Sequence, residues 1–264
     1  MKKFAIIARN DERSKALEQQ IIKALTPGLV HDQKAPELVV VIGGDGKLLS
    51  AVADYLNMLD KVKFVVLNTG RLGFSADYHS QEVEDLIAAI KSDNYKIETA
   101  SLLEAIIYHN NGKQVKHYAL NEFRIEDRQH TCDVDVYINT DFFENFRGNG
   151  ICVSTPFGST AYARSLGGAI IDPELQVLQV TEIAGLNNRM SRTLQNSLVI
   201  PSNNYIEIFQ NPLAENRFII GIDNFSENLD NFIKIKVQCS PHKISFARYR
   251  DYRFYQRIQD AFLK

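Results

Sequence analysis

The apolar run Leu38-Val39-Val40-Val41-Ile42, stopped by Gly43-Gly44-Asp45-Gly46, constrains this chain more than any other segment. Five consecutive apolar residues ending in glycine read as a strand buried on both faces, the habit of a parallel sheet. The amphipathic stretch from Lys47 to Met58 behind it reads as a helix. Strand, glycine turn and helix together aim unpaired backbone N–H groups and the positive end of a helix at an anion. Glycine lets the ligand come close. Asp45 breaks this pattern, because a carboxylate beside a phosphate repels it unless a metal ion or a proton transfer accounts for it. Asp45 is therefore the candidate for chemistry.

The same alternation covers the first ninety or so residues. Strands are predicted at 3–9, 38–42 and 63–67, and helices at 11–25, 47–58 and 81–92. Asn10 or Asp11 serves as N-cap of the first helix and Pro27-Gly28 as its stop. Ser80 caps the last. This is a doubly wound α/β pattern closing near Asp93-Asn94. From Tyr95 onward the texture changes to short runs with period-two alternation: Leu102 to His109, Val115 to Ile125, Val134 to Ile138, Ser197 to Pro201, Tyr205 to Gln210, Phe218 to Ile222 and Phe232 to Val237. Asn110-Asn111-Gly112-Lys113 and Asn139-Thr140-Asp141 supply turn chemistry between them. Short helices are expected at 159–166 and 173–184. The segment Asp251 to Leu263 carries Tyr252, Tyr255, Ile258 and Phe262 at near-helical spacing, so it is expected to pack an apolar face on the body. The domains are expected at 1–96 (α/β), 97–246 (β-rich) and 247–264 (a C-terminal segment packing back).

With 264 residues, 45% of them hydrophobic, the chain has ample core. Thirty Lys and Arg against 32 Asp and Glu leave a net charge of −2, which offers no general attraction to nucleic acid or an anionic membrane. An anionic ligand must be held locally. No apolar run approaches the roughly 20 residues of a membrane span, and Met1 to Arg9 reads as a strand rather than a leader. Cys132, Cys152 and Cys239 are odd in number and widely spaced, which argues against a disulfide framework and a structural zinc site, and fits a reducing cytoplasm. Cys152 reads as a small buried residue.

Three further motifs carry chemistry. Asn68-Thr69-Gly70-Arg71-Leu72-Gly73-Phe74 leaves the carboxyl end of the strand after Gly43–Gly46, the edge where open α/β sheets bind ligands. Asn121-Glu122 follows the apolar run Tyr118-Ala119-Leu120. Its amide suits a base edge and its carboxylate the hydroxyls of a ribose; a solvated strand end is the plainer alternative. The segment Arg147 to Tyr162, with Ser154-Thr155-Pro156-Phe157-Gly158-Ser159-Thr160-Ala161-Tyr162 at its end, concentrates glycines, hydroxyls and a proline into a rigid polar wall suited to ribose and phosphate oxygens. Ser165 and Gly167-Gly168 extend it.

In this order, Gly-Gly-Asp-Gly, Thr-Gly-x-Leu-Gly-Phe, Asn-Glu and Ser-Thr-Pro-x-Gly-Ser-Thr-Ala-Tyr resemble the NAD kinase family, from residue 38 to the region of Phe246-Ala247-Arg248. The resemblance implies an α/β N-terminal domain with a doubly wound parallel sheet, an all-β, sandwich-like C-terminal domain, an active site between them, and assembly into homodimers or homotetramers. It also implies transfer of the terminal phosphoryl of ATP, or of polyphosphate, to the 2′-hydroxyl on the adenosine ribose of NAD, giving NADP. By that resemblance Asp45 is the catalytic base, Gly46 contacts phosphate, and Asn121 and Glu122 hold adenosine. Thr160, Ala161, Tyr162 and Ser165 wall the adenine and ribose, Arg147 and Asn149 lie near the second nucleotide half, and Asp223 matches a site position. Mg2+ is expected on the ATP phosphates, mostly through water, with no protein metal cage.

Two residues depart from the family pattern. Lys47 stands where the family has threonine, adding a cation to a helix start that already attracts anions. Asn149 stands where aspartate is common, keeping hydrogen bonding but losing a charge that would face a cationic nicotinamide. Lipid-type kinases share the Gly-Gly-Asp-Gly loop and form one alternative; a non-catalytic NAD-binding sensor forms another. Hydride transfer fits less well, since Gly43 to Gly46 lacks the spaced Gly-x-Gly-x-x-Gly turn.

Overall fold

A computed structural model describes residues 1–70, 73–212 and 217–264. The chain forms two compact units, one made of Met1–Ala100 with His242–Lys264 and the other of Ser101–Pro241.

The first unit runs β1 (Lys3–Ala8), α1 (Glu12–Leu25), β2 (Val30–His31), β3 (Leu38–Ile42), α2 (Asp45–Asp54), β4 (Lys63–Asn68), β5 (Tyr78–His79) and α3 (Val83–Ser92). Its strands pair in parallel, β1 with β2 and β3, β3 with β4, and β4 with β5. Every residue of β3 is buried, as a strand apolar at every position requires. Leu38, Val40 and Ile42 share a core with Leu17, Ile21 and Leu25 of α1 and with Leu86, Ile87 and Ile90 of α3. Val39 and Val41 point to the opposite face by strand alternation and are fully buried as well. Asp11 caps α1, its carboxylate accepting the Ser14 N–H at 2.9 Å.

The second unit is built from β6 (Lys96–His109, entered from the first unit), β7 (Gln114–Ala119), β8 (Glu122–Asp127), β9 (Cys132–Ile138), β10 (Asp141–Gly148), β11 (Gly150–Ser154), the one-turn helix α4 (Tyr162–Ser165), β12 (Val177–Ile183), β13 (Leu198–Pro201), β14 (Tyr205–Gln210), β15 (Phe218–Ile222), β16 (Phe225–Leu229) and β17 (Phe232–Arg248). Six strands form an antiparallel sheet in the order β13-β12-β11-β8-β15-β16. A second run joins β10, β9, β14 and the start of β17, also antiparallel, with β6 and β7 as a hairpin. Phe123, Ile125, Val153 and Ile220 of the first sheet and Val134, Val136, Ile206, Ile208 and Ile235 of the second lie in one core, so the unit is a sandwich. Each such side chain contributes about 1.5–3 kcal/mol by leaving water. The far end of β17 pairs in parallel with β4 in the first unit, and the chain ends in α5 (Phe254–Phe262). The fold is therefore an α/β N-terminal part followed by a β-rich, sandwich-like domain.

Several expectations change. The helix expected at 47–58 begins at Asp45 and gives way after Asp54 to a 3-10 turn at Leu56–Met58, so Asp45 stands in the first helical turn rather than in a loop. The helix expected at 173–184 is instead strand β12. Val177, Val180, Thr181 and Ile183 are β-branched, and pairing with β11 and β13 outweighs the weak helical spacing. Residues 150–154, expected as part of a rigid polar wall with its backbone exposed, form a central strand buried at every position, which leaves no alternation to read. The run Val115 to Ile125 splits at Leu120-Asn121 into two strands. No helix among the described residues is long and apolar enough to cross a membrane.

Candidate active site

In the first unit, β3 delivers Asp45 to the start of α2, and a second loop fixes its side chain. Asp45 Oδ2 accepts the backbone N–H of Phe74 at 2.9 Å, and Oδ1 accepts the N–H of Ser75 at 2.9 Å together with the Ser75 hydroxyl. A carboxylate offers about four acceptor positions, so among the described residues three are filled and one, on Oδ2, is left for a further donor. A Cβ at Gly44 or Gly46 would meet nothing within 4 Å, so packing in this unit does not explain those two glycines. Gly43 is different, since a Cβ there would stand 2.7 Å from the Cβ of Lys47, whose stem covers it in the first turn of α2. The two loops expected to face one ligand are thus joined directly. Buried Asn68 braces the second by accepting the Gly70 N–H at 3.0 Å. Arg71 and Leu72 of its motif lie outside the described residues.

In the second unit, the bend between β7 and β8 is organised by Asp223. Its carboxylate accepts the backbone N–H groups of Leu120 at 2.8 Å, Asn121 at 2.7 Å and Glu122 at 3.2 Å. Its own backbone is left-handed, at φ 51°. Asp223 therefore holds the Asn121-Glu122 pair in place, and burial raises its carboxyl above the ordinary value. Glu122 is 4% exposed, and its Oε2 has no hydrogen-bond partner among the described residues. Burial, and then the charge of Asp223, push Glu122 up to about 7, against the pull of Arg124 at 3.6 Å and of the Tyr162 backbone N–H. A buried carboxylate with an unpaired oxygen is costly unless a ligand hydroxyl donates to it.

The hydroxyl-rich segment packs onto that bend. Thr155 Oγ1 donates to the Leu120 carbonyl at 2.6 Å and accepts the Gly158 N–H at 3.0 Å, while the Thr155 N–H donates to Asn121 O at 2.9 Å. Gly158 lies so close that a Cβ would fall 2.1 Å from Asn121 O and 2.5 Å from its Cα. Thr160 ends the 3-10 turn Phe157–Thr160, and Ala161 leads into α4. The Tyr162 hydroxyl donates to Glu126 at 3.3 Å under the Arg124 guanidinium, 4.6 Å from the ring centroid. Exposed Ser165 donates to Tyr162 O at 2.7 Å. Asn121, Glu122, Thr160, Ala161, Tyr162, Ser165 and Asp223 thus form one connected group. Arg147 and Asn149 stand apart from it. Arg147 lies 3.4 Å from Asp133, and Asn149 is tied through its backbone to Ile183 and Asp127. Among the described residues neither makes a hydrogen bond or ion pair to that group.

Cys132 and Cys152 are fully buried, and burial raises both thiols, so Cys152 is a packing residue rather than a nucleophile. Sequence reasoning missed Ser75 as a donor to Asp45 and Arg124 as a partner of Glu122. Ser75 carries no periodic signal, and Arg124 is hidden inside an alternating strand.

Known proteins are similar to this chain. The family model for the ATP-NAD kinase C-terminal domain matches residues 120–249. The NAD kinase of Geobacillus stearothermophilus is 41% identical over 262 residues, covering 98% of this chain and 96% of that protein. The NAD kinase of Staphylococcus aureus strain Newman is 39% identical over 264 residues, covering 99% and 97%. Among solved structures, yeast NADH kinase complexed with NADH superposes with a TM-score of 0.87 at 18% identity, covering 98% of this chain and 87% of the other. An NAD kinase from Archaeoglobus fulgidus in complex with ATP gives 0.73 at 20% identity, covering 98% and 97%. Those two likenesses establish the fold.

Proposed function

The chain belongs to the NAD kinase family and phosphorylates NAD to NADP, and we propose that Asp45 is the base that takes the proton of the acceptor hydroxyl, with ATP as donor. One observation carries this reading: among the described residues the Asp45 carboxylate is fixed by three donors and keeps one acceptor position on Oδ2. Phosphoryl transfer relies on positioning and on offsetting charge, with a base orienting the attacking hydroxyl. In the proposed step the 2′-hydroxyl of the adenosine ribose donates to Oδ2. The bond from the ribose 2′-oxygen to the γ-phosphorus forms as the bond to the leaving ADP oxygen breaks, and the proton passes to Asp45. A positioned base contributes about 10²–10⁴-fold.

The other candidate residues divide the binding work. Asn121 and Glu122 take the adenosine, Glu122 by accepting from a ribose hydroxyl with the oxygen that has no partner among the described residues. Thr160, Ala161, Tyr162 and Ser165 wall the base and sugar, and Asp223 holds the bend. Arg147 and Asn149 serve the second nucleotide half, and Gly46 and Lys47 serve phosphate. Among the described residues no three His, Cys, Asp or Glu side chains gather as a metal site. A divalent cation, Mg2+, would enter on the triphosphate as part of the donor and offset its charge. We further assign the enzyme to the cytoplasm, in keeping with its free cysteines, and to a homodimer or homotetramer; equilibrium sedimentation reads the assembly.

The test is Asp45→Asn. Calorimetric titration should find NAD binding within a few-fold of wild type, while NADP formation falls by at least about 100-fold. Turnover within tenfold of wild type would remove Asp45 from the chemistry.

A further inference from the structure

We propose that Arg257, on the C-terminal helix α5, is a positioning residue for phosphoryl transfer, acting on Asp45 through the two peptide units between Gly73 and Ser75. The inference rests on the reading of Asp45 as the base. One face of this short strap donates to Asp45 and the other is gripped by the chain's last elements. Arg257 Nη1 donates to the carbonyl of Gly73 at 2.9 Å and to that of Phe74 at 3.2 Å. The N–H groups of those same two peptide units, on Phe74 and Ser75, donate to Oδ2 and Oδ1 of Asp45. Each peptide thus stands between a guanidinium and a carboxylate. A carbonyl that accepts from a cation polarises its own peptide and strengthens the N–H at its other end. The guanidinium acts on Asp45 without touching it.

Several contacts keep Arg257 in this role. Tyr252 donates to Phe74 O at 3.0 Å, and its ring lies under Arg257, 4.6 Å from the guanidinium carbon. Arg257 Nη2 lies 3.7 Å from buried Asp77. The Phe74 ring stacks on Phe262 at 5.6 Å and meets Phe254 edge-on at 6.3 Å, which fixes α5 against the strap. Arg248 completes the grip by donating to Ser75 O at 3.0 Å. Every carbonyl from Gly73 to Ser75 therefore accepts from an arginine, and arginine remains charged at any working pH.

Steady-state kinetics and thermal melting of Arg257→Gln, Arg257→Lys, Asp45→Asn and the double variant Asp45→Asn/Arg257→Gln test this. Arg257→Gln should lose kcat by about tenfold or more while KM for NAD and for ATP stays within about twofold, the mark of an interaction expressed only in the transition state. Arg257→Lys should recover part of that loss, since it keeps the charge but not the fork. The double variant should match the residual turnover of Asp45→Asn, because Arg257 has no effect once the carboxylate is gone. Arg253→Ala, at the exposed start of the same helix, should leave both constants unchanged. A raised KM with kcat kept, or a double variant slower than Asp45→Asn by the full Arg257→Gln factor, overturns the proposal. If Asp45→Asn keeps its turnover, it is the base assignment that fails, a distinct result. Should Arg257→Gln fail to fold, Arg257→Lys and Tyr252→Phe carry the same comparison.

Discussion

Glu122 concentrates the electrostatics of the second unit in one side chain. Its ordinary value is 4.5 and burial beside Asp223 lifts it to about 7. A carboxyl raised on folding contributes stability that is complete below its unfolded value and lost as pH rises through its folded one. Unliganded protein should therefore melt lower at pH 8 than at pH 5, with Glu122 accounting for roughly 3 kcal/mol of the difference at most. Glu144, also raised to about 7 by burial and by Glu182, adds to the same slope. Glu122→Gln should flatten it only in part, as calorimetric melts across that range will read. NAD affinity should run the other way, rising as Glu122 ionises and becomes a full acceptor, and Glu122→Gln should abolish that rise. An affinity indifferent to pH in wild type would take Glu122 away from the ribose. The residue was legible from its place beside Asn121, but its titration was not, because Asp223 is 101 residues away in sequence.

At the scale of elements, the decisive contact is between the 3-10 turn Phe157–Thr160 and the bend ahead of β8. Gly158 is required there by the backbone of Asn121, which a Cβ would strike at 2.1 Å. Backbone cannot swing aside as a side chain can, so Gly158→Ala should cost at least about 1–3 kcal/mol by overpacking. It should also displace Asn121 and weaken NAD binding with kcat at saturation nearly kept. Chemical denaturation and NAD titration together measure both effects. Lost stability with unchanged NAD affinity would separate this turn from the site. The glycine itself was visible as part of a dense small-residue motif. That strand β11 runs straight into this turn was not, because a strand buried on both faces, with Cys152 and Ser154 in it, has no alternation to betray it.

Across the molecule, the first unit depends on its return segment. Arg248 is 3% exposed and donates to Asp77 at 2.9 and 3.0 Å, to Glu98 at 2.8 and 3.2 Å, and to Ser75 O, 173 residues earlier in the chain. Burial raises the Asp77 carboxyl and Arg248 opposes the rise. Removing one partner of a buried pair leaves the other charge uncompensated, so Arg248→Met should cost about 3–5 kcal/mol. Urea unfolding should show a lower midpoint with unchanged slope. A loss under about 1 kcal/mol would reduce the network to a surface-like contribution.

Local chemistry alone marked the segments that carry the candidate site and the class of each half of the chain. Gly43 to Gly46 behind an apolar strand, Asn121-Glu122 and the Ser154 to Tyr162 motif are short-range patterns, and short-range patterns are set by backbone angles, side-chain volume and hydrogen-bonding capacity. Only the tertiary structure decided what holds those residues: Phe74 and Ser75 on Asp45, Asp223 on the Asn121 bend, Arg257 and Arg248 on the strap. These are hydrogen bonds between a side chain and backbone groups 29 to 184 residues distant. Every residue offers the same backbone donor and acceptor, so no pattern along the sequence can say which one a distant carboxylate or guanidinium will find.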